Sequence, residues 1–166
     1  MIRQGTVLDS EKITDILKRA IEDLESKNIW QWDEIYPDRD IIMSDLQSKN
    51  LYIEEEDGQI KGLIVLNEEQ DEEYNELTWQ YTPDKILLVH RVCVDPLFGG
   101  QGVGKSLMKY AEDYARDNGY GAVRLDAFIQ NPVSCGLYEK IGYNKVGIIK
   151  LRKGEFYCFE KSIKQM

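Results

Sequence analysis

The spacing of hydrophobic residues predicts alternating helices and strands in the first half of the chain. Ile2–Val7 alternates weakly, as in a short strand, whereas Ile13–Leu24 has apolar residues three and four apart, which predicts an amphipathic helix. Ile41–Leu46 indicates a second, shorter helix. Two apolar runs then flank the dipeptide Asp57-Gly58, a strong signal for the turn of an antiparallel hairpin.

The second half continues this mixture around an acidic stretch. Residues 67–84 have no periodic pattern, so we expect a long loop or irregular excursion whose path the sequence does not predict. Asp95-Pro96 then stops a buried strand, because proline donates no ladder hydrogen bond. The remaining pattern predicts, in order, the strand Lys85–Val94, the helix Val103–Ala115, the strand Ala122–Phe128, the helix Asn131–Lys140 and two strands flanking Arg152-Lys153-Gly154.

Length and composition are typical of one globular domain. The chain has 166 residues, 42% of them hydrophobic and 31% charged, so we predict a single domain over residues 1–166. No apolar run approaches the roughly 20 residues of a membrane span. The amino terminus lacks the apolar core of a signal peptide, so we expect cytoplasmic residence and no membrane partner.

Charge and cysteine content exclude two further classes. The chain has 21 basic and 30 acidic residues, and the net charge of −9 disfavours nucleic acid as a partner. Cys93, Cys135 and Cys158 form no CxxC pair, and with one histidine they make no convincing zinc site. We therefore expect no metal and three reduced thiols.

A glycine-rich segment, Gly99–Ser106, lies between a predicted strand and a predicted helix. Bare backbone N–H groups at a helix amino end bind phosphate in this setting. The segment also satisfies the G-x-x-x-x-G-K-[ST] pattern of NTPase loops, with Lys105 on the phosphates and Ser106 on magnesium. Its context disfavours an NTPase, because only about 60 residues remain for the further parallel crossovers of that fold.

The alternative is an acyl-CoA pyrophosphate loop. Val92–Pro96, Gly102-Val103-Gly104, Asn131 and then Leu137–Tyr143 occur in this order, and together they resemble the GNAT superfamily of acyltransferases. The family usually has arginine or glutamine at the first loop position, where this chain has Gly99. The resemblance covers most of the chain.

The resemblance implies an α/β (α+β) fold. We expect a central mixed, mostly antiparallel twisted sheet of about seven strands, flanked by about four helices, with a splayed strand pair that binds the cofactor. It also implies acetyl-CoA as acyl donor. The pantetheine arm would pair with the strand before the loop, and the pyrophosphate would bind the loop. An asparagine and a tyrosine further along the chain would also contact the cofactor. The implied cofactor contacts are Val92, Cys93, Val94, Gly100, Gln101, Gly102, Val103, Gly104, Lys105, Asn131 and Tyr138.

Acyl transfer to an amine needs a base, an oxyanion donor and an acid for the thiolate. By resemblance, Tyr138 occupies the position of the family's acid. The alternative is a tyrosine that only packs in the core. Asp126 is a candidate base or a strand-end cap, and His90 a candidate base or a structural histidine. By resemblance, a backbone N–H near Val92 donates to the oxyanion.

Trp30, Trp32 and Tyr36 lie in the segment that shapes the acceptor pocket in this family, although they are equally suited to anchoring the core. The sequence therefore predicts direct acetyl transfer in a ternary complex. The acceptor is a small-molecule amine or a protein amino group, with a small cationic amine slightly favoured by the acidic chain. A noncatalytic acyl-CoA sensor is the main alternative. A homodimer is expected because family members often dimerise.

Overall fold

The computed structural model describes residues 1–164, which form seven strands and four α-helices. None of the helices in this part of the chain is long and apolar enough to cross a membrane. The helices are α1 (Ser10–Ser26), α2 (Arg39–Gln47), α3 (Val103–Asp117) and α4 (Pro132–Lys140). The strands are β1 (Ile2–Gln4), β2 (Leu51–Glu56), β3 (Gln59–Asn67), β4 (Ile86–Val94), β5 (Ala122–Phe128), β6 (Asn144–Leu151) and β7 (Gly154–Ser162).

The strands form one sheet in the order β1-β2-β3-β4-β5-β7-β6. Four of the strand pairs are β1–β2, β2–β3, β5–β7 and β6–β7, all antiparallel, whereas β4 and β5 are parallel. In the described residues, the parallel register joins Ile86–Leu88 to Ala122–Arg124, although β5 continues to Phe128. The mixed, mostly antiparallel sheet with four helices confirms the predicted fold class.

Two compact units make up the structure, and each uses two stretches of chain. The first comprises Met1–Leu66 and Arg91–Met108, and the second comprises Asn67–His90 and the chain from Lys109 onward. The expectation of a single domain stays a prediction.

The first unit packs α1 and α2 against its strands. The turn between β2 and β3 has Asp57 and Gly58 at φ of 52° and 77°, the left-handed pair that two-residue hairpin turns require. Helix α1 buries the apolar face that its spacing predicts. The core cluster consists of Ile13, Ile16, Leu17, Ala20, Trp32, Ile42, Leu46, Leu51, Ile53, Ile60, Leu63, Val65 and Cys93.

The second unit is built on β5, β7 and β6. Leu125 pairs with Phe159 and Asp126 with Cys158 across the β5–β7 register. The acidic stretch is irregular as predicted, with one 3-10 turn at Glu72–Glu76. Helix α3 ends where Gly119 adopts a φ of 78°, which matches the stop signal expected at Asn118-Gly119.

Candidate active site

The glycine loop, Gly99–Gly102, leads directly into α3, which begins at Val103. Gly100 and Gly102 have φ of 74° and 79°, values that residues with a Cβ rarely adopt. A Cβ on either glycine would meet no atom within 4 Å, so backbone conformation rather than crowding favours glycine. Because the first N–H groups of a helix lack intrahelical acceptors, the loop offers hydrogen-bond donors and a positive helix end to an anion.

The two side chains after the loop glycines have different surroundings. Lys105 is exposed, whereas the Ser106 hydroxyl donates to the Glu54 carboxylate. An NTPase loop reserves that hydroxyl for magnesium, but a carboxylate of β2 holds it here. The loop therefore suits a pyrophosphate bound by backbone groups and Lys105 better than a magnesium nucleotide.

Strand β4 contains an unusual backbone conformation near its middle. Arg91 has a φ of 50° inside the strand, in the left-handed region that residues other than glycine seldom occupy. Such strain costs on the order of 1–3 kcal/mol and occurs preferentially at functional sites. Among the predicted cofactor contacts that follow it, Val92 and Val94 are half-buried and Cys93 is buried. Burial raises the pKa of the Cys93 thiol to about 12, so it remains a thiol.

An ion pair holds the strained residue. The Arg91 Nε and Nη2 atoms donate to the two carboxylate oxygens of Asp45, each at 2.7 Å, and Nη1 donates to the Tyr36 hydroxyl at 2.9 Å. Asp45 lies in α2 and is 7% exposed. Tyr36 is one of the predicted site residues, whereas neither Asp45 nor Arg91 could be identified as its partner from the sequence. The available signal was an arginine in the middle of a strand predicted to be buried.

The predicted acceptor residues divide into two groups. Trp32 belongs to the core cluster, so core anchoring describes its surroundings. Trp30 and Tyr36 are 49% and 37% exposed and reach solvent. The acceptor role of all three stays a prediction, with better physical support for Trp30 and Tyr36.

In the second unit, Asp126 contacts a buried tyrosine. The Tyr74 hydroxyl donates to Asp126 Oδ2 at 2.6 Å. Burial raises the pKa of Asp126 to about 6; the Tyr74 hydrogen bond opposes the rise and the charge of Asp71 adds to it. Burial and the Asp126 charge raise the pKa of Tyr74 well above its usual value, so Tyr74 stays a donor. A carboxyl that titrates near neutrality is suited to accepting a proton.

Tyr74 lies in the acidic stretch, where the sequence offered no path for the chain. Its ring stacks on Trp79 with centroids 5.3 Å apart, and Trp79 Nε1 donates to the Tyr74 carbonyl at 2.8 Å. The Arg124 guanidinium of β5 lies 4.1 Å from the centroid of the Trp79 ring. These contacts fix Tyr74 beside β5, and sequence reasoning missed the residue entirely.

Tyr138 is buried on α4. It is 5% exposed and packs against Tyr143 and Phe159, with ring centroids 6.2 and 5.7 Å away. Burial, together with the nearby charge of Asp126, raises the pKa of its hydroxyl above the usual range. The hydroxyl is therefore protonated at neutral pH, which is the state a general acid requires.

Comparisons with known proteins identify the family. A family model described as the acetyltransferase (GNAT) family matches residues 14–143, more than three quarters of the chain. The chain belongs to the GNAT family. It is thus an acetyl-CoA-dependent acyltransferase, as the sequence predicted.

Individual GNAT relatives agree with this result. The chain is 26% identical over 157 residues to S-(2-succino)cysteine N-acetyltransferase of Bacillus subtilis, covering 92% of this chain and 89% of that one. A GNAT acetyltransferase structure from Streptococcus agalactiae is similar with a TM-score of 0.87 at 20% identity, covering 100% and 96% of the two chains. The yncA acetyltransferase of Salmonella typhimurium, solved with acetyl-CoA, has a TM-score of 0.71 at 18% identity, covering 100% and 95%.

Asn131, the GNAT cofactor asparagine by resemblance, caps α4. It is 6% exposed, and its Oδ1 accepts the Ser134 N–H at 3.2 Å. The side-chain oxygen thus stabilises the start of the helix. The predicted cofactor contact would use the amide nitrogen and stays a prediction.

His90, a candidate GNAT base, contacts the start of the acidic stretch. Its Nε2 lies 2.8 Å from Asn67 Oδ1 and 3.0 Å from the Glu69 carbonyl. Since a carbonyl oxygen only accepts, Nε2 carries a hydrogen. This arrangement supports the structural alternative, and a role as base would require Nδ1.

Cys135 is a packed thiol in this GNAT chain. It is buried, its Sγ donates to the Phe128 carbonyl at 3.4 Å, and burial raises its pKa. A thiol kept protonated in this way is a poor nucleophile, which agrees with the expectation of reduced, packed cysteines.

Proposed function

We propose that this GNAT enzyme transfers an acetyl group from acetyl-CoA directly to a primary amine while both substrates are bound. The observation that carries the proposal is the Asp126 carboxyl, which titrates with a pKa of about 6 beside the Tyr74 hydroxyl. Such a carboxyl is ionised at neutral pH yet basic enough to accept a proton from an attacking amine.

The glycine loop is the proposed pyrophosphate site. Its left-handed glycines leave open space above the backbone, and Lys105 is exposed beside them. With Gly99 at the position of the usual arginine or glutamine, backbone N–H groups and Lys105 hold the charge. Val92, Cys93 and Val94 would pair with the pantetheine arm through their backbone atoms. Bound acetyl-CoA supplies the acetyl group and a thiolate leaving group.

Two proton transfers in the proposed reaction involve the chain's own residues. Asp126 accepts the proton that the amine nitrogen loses, directly or through a water, as the new C–N bond forms. A backbone N–H near Val92 donates to the carbonyl oxygen while that oxygen holds negative charge. The C–S bond then breaks, and Tyr138 gives its hydroxyl proton to the departing sulfur. Proton transfer from Asp126 to the tyrosinate, through solvent or substrate, restores both groups.

The acceptor in this proposal is a small cationic amine. The net charge of −9 attracts cations, and the bound ammonium releases its first proton to solvent, so that the neutral amine is the form that attacks. The relative named S-(2-succino)cysteine N-acetyltransferase is, by its name, an enzyme for an amino acid derivative. That name supports an amino-acid-like amine.

The decisive test replaces Tyr138 with phenylalanine. Loss of the acid should lower kcat by about 100-fold or more, with the acetyl-CoA dissociation constant changed less than about threefold. Tyr143→Phe is the matched control, because Tyr143 is also buried and its hydroxyl contacts Glu112. An unchanged kcat in Tyr138→Phe would remove the acid role. A wild-type protein that binds acetyl-CoA but acetylates no amine would favour the sensor.

Thermal unfolding distinguishes a protein that binds acetyl-CoA from one that binds a nucleotide. Acetyl-CoA at 100 times its dissociation constant should stabilise the native state by about 2.7 kcal/mol, and magnesium-ATP should have no effect. Stabilisation by magnesium-ATP alone would restore the NTPase alternative.

A further inference from the structure

Glu160 of β7 is a buried carboxylate, and both of its oxygens hold the acidic stretch. The residue is 2% exposed. Its Oε2 accepts the Gln80 N–H at 2.9 Å, and its Oε1 accepts the Tyr81 N–H at 3.0 Å. Hydrogen bonds to a charged acceptor are stronger than those to a neutral one. The carboxylate therefore fixes the backbone at residues 80–81, which belong to no helix or strand.

Arg124 holds the same segment from the neighbouring strand. It is paired with Glu160 in the β5–β7 register, and its Nη2 donates to the Tyr81 carbonyl at 2.9 Å. Its Nη1 donates to Gln70 Oε1 at 2.8 Å, whereas its Nε is buried with no hydrogen-bond partner among the described residues. Burial lowers the pKa of Arg124, and the charge of Glu160 opposes that change. The buried cation thus depends on Glu160 and on the segment it holds.

Trp79 connects this anchored segment to the proposed base. It directly precedes Gln80, its ring stacks on Tyr74 with centroids 5.3 Å apart, and its Nε1 donates to the Tyr74 carbonyl at 2.8 Å. The Tyr74 hydroxyl in turn donates to Asp126 Oδ2 at 2.6 Å. A continuous series of contacts therefore runs from Glu160 to Asp126, and all of it lies within the second unit.

Resting on the proposed function, we infer that Glu160 is a positioning residue for the base, Asp126. It anchors residues 79–81, and the anchored Trp79 holds the Tyr74 hydroxyl on the carboxylate. Glu160 acts through this segment, because both of its own oxygens are occupied by backbone N–H groups. The end of the acidic stretch is then part of the machinery that sets the basicity of Asp126.

The titratable groups near Asp126 come from three elements. Tyr74 and Asp71 belong to the acidic stretch, Cys158 is paired with Asp126 across the β5–β7 register, and Tyr138 lies on α4. Burial raises the pKa of Tyr74, Cys158 and Tyr138, so these three groups are protonated at neutral pH. The charge of Asp71 raises the pKa of Asp126, and the hydrogen bond from Tyr74 lowers it.

The pH dependence of kcat/KM in Glu160→Gln tests this role, and the sign of the shift is decisive. Removing a nearby negative charge would by itself lower the pKa of Asp126. Loosening Tyr74 removes a stabilising hydrogen bond and raises that pKa. We therefore expect the acidic limb to move upward by about 0.5 pH unit, with the acetyl-CoA dissociation constant within about twofold of wild type. The same amine is used for every protein, so its own ionisation contributes equally.

Three further variants sharpen the result. Glu155→Gln, at an exposed glutamate of the same strand, is the matched control and should leave the limb in place. Trp79→Phe keeps a ring against Tyr74 but loses the Nε1–H donor, so a smaller upward shift is expected. This variant also tests the inference if Glu160→Gln does not fold. Glu160→Gln combined with Tyr74→Phe should shift the limb no further than Tyr74→Phe alone, because both changes act through one hydrogen bond.

The outcomes separate this inference from the function it rests on. A limb that stays in place or moves downward in Glu160→Gln, or fully additive shifts in the double variant, would overturn the role of Glu160. A limb that moves in Tyr74→Phe but in neither Glu160→Gln nor Trp79→Phe would do the same and leave the proposed function intact. If Asp126→Asn kept the wild-type limb, Asp126 would not be the base, and the proposed function and this inference would both be wrong.

Discussion

Asp95 is buried directly after β4 and Asp126 is half-buried within β5, and the hydrogen-bond partners of the two carboxylates differ. Asp95 is 2% exposed and accepts from Arg19 Nε and Nη2 at 3.2 and 2.7 Å and from the Leu97 N–H at 3.1 Å. Asp126 accepts a hydrogen bond from the uncharged hydroxyl of Tyr74. Burial pushes both pKa values upward, but the partners of Asp95 outweigh it and lower its pKa, whereas the pKa of Asp126 rises to about 6.

The difference shows that the partner, rather than burial, decides what a carboxylate can do. Paired with a guanidinium, Asp95 stays ionised and holds the turn that precedes the glycine loop. With an uncharged donor, Asp126 keeps a basicity useful near neutral pH. The ion pair of Asp95 contributes stability, whereas the raised pKa of Asp126 means that its ionised form opposes folding.

The largest expected effect is on turnover. Asp126→Asn removes the proposed base and should lower kcat/KM by about 10²–10⁴, measured as CoA release with a competent amine. Asp84→Asn, an exposed aspartate in the same unit, should leave it unchanged. A loss of kcat/KM smaller than about fivefold would show that Asp126 is not the base and would leave His90 Nδ1 or a water molecule in that role.

The next effect is on stability in the first unit. Arg19→Leu leaves Asp95 without its cation and should lower the free energy of unfolding by about 2–3 kcal/mol at pH 7 in urea denaturation, less than for a fully buried pair because Arg19 is partly exposed. Because the folded-state pKa of Asp95 is lowered, the ion pair's contribution is lost only as pH falls through that pKa, and the two proteins should converge only in acid below it. Lys18→Leu is the control, since Lys18 is an exposed neighbour. Equal stability of wild type and Arg19→Leu at pH 7 would contradict the pairing argument.

A smaller effect of opposite sign is expected for Asp126 itself. A folded-state pKa of about 6 means that the ionised carboxylate opposes folding above that pH. Asp126→Asn should therefore raise the free energy of unfolding by about 2 kcal/mol at pH 8, and by little below pH 4, where the carboxyl is protonated in both states. A variant less stable than wild type at pH 8 would show that Asp126 is a structural cap.

The smallest effect is a shift in the pH profile. Tyr74→Phe removes the hydrogen bond that lowers the pKa of Asp126, so the acidic limb of kcat/KM should move upward by about one pH unit. Activity should then fall more at pH 6 than at pH 8. Tyr81→Phe, at a half-buried tyrosine of the same unit, is the control. If the acidic limb stays in place or moves downward in Tyr74→Phe, then Tyr74 does not lower the pKa of the base.

Local signals in the sequence were sufficient for most of the fold. The hairpin turn has left-handed residues at Asp57 and Gly58, and α3 stops at the left-handed Gly119, so both features depend on residues at the turn itself. Helix α4 begins at Asn131-Pro132 for a similar reason, because cap and first turn are adjacent. The path of residues 67–84 was not predictable, since Tyr74 and Trp79 are held by β5 some 50 residues further on.

The same contrast between local sequence signals and contacts between distant residues applies to the candidate site. The glycine loop and Tyr138 could be predicted because the motifs that contain them are contiguous in the sequence. Asp45 and Arg91 are separated by 46 residues, and nothing in either local pattern indicates that they meet. Tyr74 was hidden for the same reason. Motifs therefore predict which groups bind the donor, whereas the partners that tune them emerge only from tertiary contacts.

The way the chain divides between the two units affects how it is made on the ribosome. When Leu66 has been added, the first unit still lacks Arg91–Met108. Those residues bring Cys93 to its core and Asp95 to Arg19. At about 5–20 residues per second, the growing amino-terminal stretch must wait several seconds, with apolar surface uncovered, for its last segment. A fragment cut at Leu66 should therefore bind chaperones rather than fold.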